Sequence, residues 1–502
     1  MKYLLAHDLG TSGDKATLFT EEGKQLASVT RSYPLFQERE EYAEQDGNDW
    51  WQAFCETTKE LILGSGVSPE DIEALSFSGQ MLGLLPVDLK GEPLRRSLIW
   101  ADLRAVAEAE ELRSKISDED FYAIVGHRNT ASYSLQKAMW LKKHEPENYE
   151  RARCFLNAKD YIVLKLTGRL VTDPSDANST GAFDLKKRCW SERILQAAGI
   201  DGAKFPEIVD STAVVGTVSA EAAARTGLST RTKVVMGAGD GVAANVGAGS
   251  VSPGSAYLCL GTSAWVATTA KAPLFDDRMR SVTWAHAVPG LYSPNATMQY
   301  ACGSYDWFKE VIGTGEQLIS EKTGEDVYAL LTEEARLSPP GANGLIFLPH
   351  LLGERAPRWN EQVRGAFFGI SGKTTRSDLV RSVLEGIAMN LSLCLSAIDP
   401  GKEIREIRAI GGGAKNDLWM QIFADLFGIP VTVPENTRDA NSMGAAILAG
   451  IGSGIFPDFS AVSRFIREKK RFLPDPERVR IYRELLPRYE RAYQAAAFFA
   501  EG

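Results

Sequence analysis

At 502 residues the chain is too long for one hydrophobic core and implies two or three domains. A formal net charge of −9 and a pI near 5.4 argue against nucleic-acid or anionic-membrane partners, but leave room for a nucleotide in a local pocket. Six scattered cysteines without a Cys-x-x-Cys point to reduced thiols in the cytoplasm, and five isolated histidines argue against a dedicated zinc site. The N-terminus lacks a basic-then-apolar leader, and no run reaches the length of a membrane helix.

In chain order, residues 2–9, 14–20 and 25–33 read as three strands, with Glu21 to Lys24 as the second turn. From Asp46 the period becomes helical through Trp50, Trp51, Phe54, Thr58, Leu61 and Ile62. A strand, Ile72 to Phe77, runs into Ser78-Gly79-Gln80-Met81, with a short strand at 84–87 and a polar helix at 103–116. Residues 127–143 and 157–190 read as an inserted cap, in which Lys159-Asp160-Tyr161 starts a helix and Asp173 to Asn178 forms a polar loop. Residues 201–231 read as a weakly patterned connection. Lys233 to Met236 is a strand ending in Gly237-Ala238-Gly239-Asp240-Gly241, followed by a small-residue helix at 242–249.

In the second half, strands are predicted at 255–260, 264–269 and 292–298 and a helix around 303–312. Residues 338–370 read as irregular, and a long helix spans Arg376 to Ile398. A strand then enters Gly411-Gly412-Gly413, helices follow at 415–427 and 439–450, and an amphipathic helix at 477–500 carries a kink at Pro487.

One element occurs twice. Leu9-Gly10-Thr11-Ser12 returns as Leu260-Gly261-Thr262-Ser263, each between an apolar strand and a second extended run. Glycine supplies the backbone freedom of a tight turn, and backbone N–H groups with two hydroxyls can donate to an anion. Facing one another, the two turns would hold a polyphosphate. No Gly-Lys-Ser/Thr follows and no helix opens, so neither is a Walker loop. The pattern is an internal duplication of roughly 250 residues per copy, as in a two-lobed enzyme with a cleft.

Asp240, after a buried strand and among glycines, suits a general base that takes a proton from a substrate hydroxyl; capping the following helix is its structural alternative. Asp8, at the mouth of the first turn, is placed to hold Mg²⁺ through water or to close an Asx-type turn. Gly412 and Gly413 would let an adenosine ring lie on backbone, with Asn416 within reach of the base. Gln80, Met81, Trp100 and Asp102 are candidates for the sugar side, at strand ends of the first lobe. Lys15 reaches a phosphate or is a solvated strand residue, and His7 packs in its strand.

These blocks resemble the FGGY family of carbohydrate kinases, closest to its xylulokinase-like branch, over essentially the whole chain. Asp8 to Gly13 and Leu260 to Ser263 are similar to the family's two phosphate loops. Gly365 to Ile370, with Asp378-Leu379 and Ser382 to Glu385, resembles its C-terminal signature, and Ser132 to Trp140 its other signature. Lys159-Asp160-Tyr161, Ser175-Asp176-Ala177, Phe347 to Pro357 and Gly411 to Ala414 also look like family blocks.

The resemblance implies an α/β fold of two actin-like, ribonuclease H-type lobes with an interlobe cleft for MgATP and sugar. Residues 1–248 would bind sugar and carry the first phosphate loop and the catalytic Asp240, and residues 249–502 would bind ATP. Gly10, Thr11, Ser12, Lys15, Gly261, Thr262 and Gly303 would then serve the nucleotide together with Gly412, Gly413 and Asn416, and Mg²⁺ would lie near Asp8. The implied reaction is ATP-dependent phosphorylation of a small sugar, D-xylulose first, in the cytoplasm, with a homodimer as family habit. The branch usually has Gln-Met-His-Gly where this chain reads Gln80-Met81-Leu82-Gly83, and Asp-Asn where it reads Asp240-Gly241. Kinases for another ketopentose, gluconate or a polyol are therefore alternatives, as is a non-catalytic sugar-binding regulator.

Overall fold

The computed structural model describes residues 1–501. In the first half, β1 (Tyr3–Leu9), β2 (Gly13–Thr20) and β3 (Gln25–Ser32) form an antiparallel meander. Helix α1 (Gly47–Ser65) starts at Asp46, whose carboxylate accepts from the Asn48 N–H, and ends at left-handed Gly66. Its buried side, with Trp50, Trp51, Phe54 and Leu61, packs on that meander. Strands β4 (Ile72–Gly79), β5 (Val214–Thr217) and β6 (Lys233–Val235) complete a sheet of order β3-β2-β1-β4-β6-β5, with Ala238–Gly239 adding a short pairing to the end of β4. The central pairs β1/β4 and β4/β6 are parallel and the outer pairs antiparallel.

Between β4 and β5 the chain builds the insert, including α2 (Ser134–His144), α3 (Ala158–Thr167) and α4 (Pro174–Ser179). The predicted polar loop at 173–178 is in fact α4, because Asp173 accepts from the Ser175 and Asp176 N–H groups and Pro174 occupies the first turn. The weakly patterned 201–231 likewise carries β5 and a helix, Ala220–Thr226, too short to show a period.

After α5 (Asp240–Gly247) the topology repeats. Strands β7 (Ala256–Leu260), β8 (Ala264–Thr268), β9 (Val282–Ala285) and β10 (Tyr292–Met298) are followed by α6 (Cys302–Val311), α7 (Val327–Arg336), α8 (Arg376–Ile398), β11 (Ile407–Gly411) and α9 (Asp417–Phe427). Then come β12 (Val431–Pro434), α10 (Ala440–Ser453), β13 (Glu468–Phe472) and α11 (Pro476–Glu501), the last continuing through Pro487. The sheet order is β9-β10-β8-β7-β11-β12-β13. Apart from the extra edge strand β9, its parallel and antiparallel pairs match those of the first sheet. Two lobes of the actin-like, ribonuclease H type are thus what the duplicated sequence builds. The region 338–370, expected to be irregular, contains a paired strand couple, Ile346–Leu348 with Ala366–Phe368, each too short for alternation to show.

One helix corrects the sequence reading. Arg376–Ile398 is long and apolar enough to cross a membrane, yet 83% of its apolar window is buried inside the molecule, as in a core helix. Its start is a capping box between Thr375 and Asp378.

The lobes are joined by α5 and α10, which lie together between the two sheets. Although α10 belongs to the second half of the chain, Met443, Ala446 and Ile447 share an apolar cluster with Leu4, Ala6 and Ala74 of the first sheet. The two helices touch backbone to backbone. A Cβ on Gly247 would stand 1.7 Å from the Ala440 carbonyl oxygen, and one on Gly444 would stand 2.0 Å from that of Ala243. Gly444→Ala is therefore expected to force the helices apart and destabilise the protein by about 1–3 kcal/mol. A chemical-denaturation midpoint equal to wild type would refute that crossing.

Candidate active site

The carboxyl ends of β1, β4, β7 and β11 and the N-termini of α5 and α10 converge on one cleft. Helix N-termini carry unpaired N–H groups and positive dipole ends, so this convergence favours anions. The repeated turns connect β1 to β2 and β7 to β8. They close alike: the Gly10 N–H donates to the Gly13 carbonyl and the Gly261 N–H to the Ser263 carbonyl, both at 3.0 Å. Among the described residues, the N–H groups of Thr11, Ser12, Thr262 and Ser263 have no intramolecular acceptor and are the free donors of the turns. The sequence expectation of special backbone freedom at Gly10 and Gly261 is corrected, since neither has a positive φ. A Cβ on either would meet nothing closer than 3.4 Å, so what glycine leaves there is open space beside the turn.

Each turn is held from behind. Gln45 Nε2 donates to the Thr11 carbonyl at 2.6 Å, and Trp100 Nε1 donates to Thr11 Oγ1 at 2.8 Å. In the second turn the Ala301 and Gly303 N–H groups donate to the Thr262 carbonyl. Gly303, predicted to touch nucleotide, is instead buried, and a Cβ there would collide with the Tyr300 ring at 2.1 Å. It supports the turn from inside the lobe.

Two cavities flank the second turn. One, of about 620 Å³, is lined by Gly261, Thr262, Gly412, Gly413 and Asn416, with Tyr305, Tyr328 and Arg438 among the residues no sequence motif had marked. Asn416 reaches it while its Oδ1 caps α9 through the Trp419 N–H and its Nδ2 donates to Thr332. The other, of about 320 Å³, is lined by Met81, Leu82, Trp100, Asp240 and Gly241, joined by Ser263, Arg280, Asn295, Arg355, Asn441 and three further tryptophans, 265, 284 and 359. Arg355 lies in the Phe347 to Pro357 block already singled out, which was the available signal. The tryptophans come from scattered strands and loops and carried none.

Two predicted sugar-side residues do not reach this cavity. Asp102 is fully buried, accepts from the Ala43 N–H at 2.7 Å and is bound by the Arg104 guanidinium, so its carboxylate is already saturated. Gln80 is 3% exposed and donates to Gln45, whose Oε1 also accepts from Trp50. It orients the residue that steadies the first turn. His7 packs as expected, fully buried between Asp14 and Thr58.

Asp240 is the first residue of α5, after the N-cap Gly239, and its Oδ1 accepts from its neighbour Gly241 N–H at 2.7 Å. The capping alternative is thus not realised for the helix as a whole. Burial pushes its pKa up to about 7, helped by the charge of Asp8. Asp8 is itself raised by burial, against hydrogen bonds from Ser78 Oγ at 2.7 Å and Asn441 Nδ2 at 3.2 Å and the charge of Lys15. Lys15 is ion-paired with Asp439, just ahead of α10, rather than extended freely toward a ligand. The backbone carrying Asp240 is anchored by a buried cluster. Lys159 Nζ lies 2.7, 2.9 and 3.0 Å from carboxylates of Asp160, Asp173 and Asp176, and Ser175 Oγ, bound to Asp173, accepts from the Gly239 N–H.

The description of the N-terminal domain of the FGGY family of carbohydrate kinases matches residues 3–247, and that of the C-terminal domain residues 256–453. The chain is 34% identical over 495 residues to the xylulose kinase of Bacillus subtilis (strain 168), covering 98% of this chain and 97% of that one. It is 31% identical over 492 residues to the gluconokinase of the same strain, covering 97% and 94% respectively. Its fold superposes on the ligand-bound xylulose kinase from Lactobacillus acidophilus with a TM-score of 0.92 at 28% identity, covering 99% of each chain. The matches over both lobes and to a relative along nearly its whole length place this chain in the FGGY family of carbohydrate kinases.

Proposed function

We propose that the enzyme transfers the γ-phosphoryl group of ATP to a hydroxyl of D-xylulose, giving D-xylulose 5-phosphate, with Asp240 as the general base. The observation that carries this reading is the Asp240 carboxylate, raised to about 7 and lining the smaller cavity beside the second phosphate turn. The sugar occupies that cavity and the adenosine moiety the larger one beside Gly412 and Gly413. We assign residues 1–248 to the sugar-binding lobe and 249–502 to the nucleotide lobe, and the reaction to the cytoplasm; the cysteines, all free, suit a reducing compartment.

Mg²⁺ fits the site. Asp8 and Asp240 are both raised by burial, and the charge of Asp8 raises Asp240 further; no cluster of three or more metal-ligating side chains is present among the described residues. Mg²⁺ prefers one or two carboxylates with waters and phosphate oxygens. Asp8 would hold it, with Ser78 and Asn441 fixing that carboxylate, and when bound the ion supplies charge compensation to the phosphates. Asp240 accepts the hydroxyl proton as the oxygen attacks. The free N–H groups of Thr11, Ser12, Thr262 and Ser263 orient the phosphates, consistent with a transfer governed by positioning and electrostatics. Trp100, Trp265, Trp284 and Trp359 shield the cavity from water that would compete for the γ-phosphate.

A gluconate-type acid is the second reading. Arg355 lines the sugar cavity without a carboxylate partner among the described residues, whereas Arg280 is held by Asp276. Leu82 and Gly241 line the same cavity without polar side chains.

ADP release with MgATP across D-xylulose, L-xylulose, D-ribulose, L-ribulose, D-gluconate, D-arabinitol and glycerol decides between them. Saturable turnover of D-xylulose is expected to exceed that of the rest, and preference for gluconate would move the assignment to the acid. Asp240→Ala is expected to lower turnover by roughly 10²–10⁴-fold while leaving ATP binding by calorimetry near wild type; full turnover would remove Asp240 from its role. The base must be ionised to act, so the rate should fall as pH drops through an inflection at or below about 7. A rate independent of pH between 5 and 8 would contradict the raised carboxyl.

A further inference from the structure

We propose that Lys137 is a positioning residue of the sugar site: its ammonium ties the carbonyls of Leu82, Ile99 and Ser132 together, so that three separate loops form one wall of the cavity and, through Trp100, brace the first phosphate turn. The proposal rests on the assignment of the Asp240 cavity to the sugar. Lys137 lies on α2, in the Ser132 to Trp140 segment for which the catalytic scheme has no use. Its side chain is fully buried and forms no salt bridge among the described residues. Instead Nζ donates to Leu82 O at 2.9 Å, Ile99 O at 2.6 Å and Ser132 O at 2.6 Å. Three N–H donors meet three acceptors, which is the full capacity of an ammonium.

Each acceptor belongs to or adjoins a cavity-lining residue: Leu82 itself, Trp100 after Ile99, and Ser132 with Tyr133. Leu82 is held in a left-handed conformation, φ 66°, with its N–H on Ser179 Oγ at 3.2 Å and its carbonyl on Lys137. Trp100 in turn donates to Thr11. One buried cation therefore sets both the sugar wall and the support of a phosphate turn.

Burial pushes the Lys137 pKa down to about 7, with Asp102 favouring the ammonium and Arg104 opposing it. Arg104 is itself engaged by Asp102 and Glu44. On neighbouring elements Glu108 and Glu111 are paired with Lys143, and Glu145 with Arg95. Tyr133 is kept neutral by burial, and His127, stacked on it, is pushed down to about 4 and is uncharged at neutral pH. Loss of the proton leaves two N–H groups for three carbonyls, so one wall loses its tether as pH rises. This is opposite in sign to the demand of Asp240.

The test is sugar affinity by tryptophan fluorescence in Asp240→Asn, which removes the other group of the cavity that titrates near 7. The probe is D-xylulose, or D-gluconate where the turnover panel selects the acid. Its Kd is expected to rise about five- to tenfold between pH 6 and 8.5, the loss of one hydrogen bond, and Lys137→Arg in the same background should flatten the rise. A Kd independent of pH overturns the proposal. Hydrogen–deuterium exchange of the ligand-free wild type, corrected for intrinsic rates, supplies a reading that needs no sugar. Residues 80–84, 97–101 and 130–134 should lose protection together at pH 8.5, and unchanged protection in all three overturns the tether. If no sugar binds at any pH while those loops loosen together, the sugar assignment fails and the tether stands.

Discussion

The architecture depends on the contact between α5 and α10, where backbone meets backbone because neither Gly247 nor Gly444 carries a Cβ. A larger residue at either position would separate the helices, and with them the elements at their N-termini. Those N-termini bring Asp240 from one half of the chain beside Asn441 from the other, and Asn441 donates to Asp8 at the end of β1. The Asp240 carboxylate and the residues around the first turn are thus placed by a packing constraint in an apolar layer behind the cleft. Such a layer is close-packed and transmits displacement rather than absorbing it.

The cleft concentrates negative charge and leaves part of it uncompensated. Deeper in the first lobe, three carboxylates are gathered on Lys159, out of water, where removing Lys159 would leave all three without a cation. That cluster holds the backbone leading to Asp240 through Ser175. In the cleft, buried Asp8 and Asp240 have no lysine or arginine in an ion pair with either among the described residues, and Lys15 is taken by Asp439. In the deeper cluster one lysine does not offset three carboxylates, and burial raises Asp160 and Asp176, which favours a proton within the cluster.

The walls of the smaller cavity come from different parts of the molecule. The wall carrying Leu82, Trp100 and Tyr133 comes from the insert and its flanking loops, whereas Arg355, Trp265 and Trp284 come from the other lobe. A Cβ on Gly241 meets nothing within 4 Å, so that position is open to a larger side chain and its glycine leaves space beside the base. Leu82 and Gly241 present no polar side chain to that cavity, while Arg355 adds a cation.

By itself the sequence determined the duplication, the strand–turn–strand at the head of each half and the bounds of α8, since these rest on local period, turn glycines and caps. It also marked Asp240, Met81, Trp100, Thr262, Gly412 and Gly413, which sit at strand ends or helix starts where chain direction alone puts them at a cleft. The tertiary structure decided what those signals do not encode. Gly303 packs against the Tyr300 ring, Asp102 is bound by Arg104, Gln80 donates to Gln45, and Lys15 is taken by Asp439. The tryptophan-lined wall and the Lys137 tripod join residues far apart in the chain, and no local pattern records a contact made only when the loops close on one another.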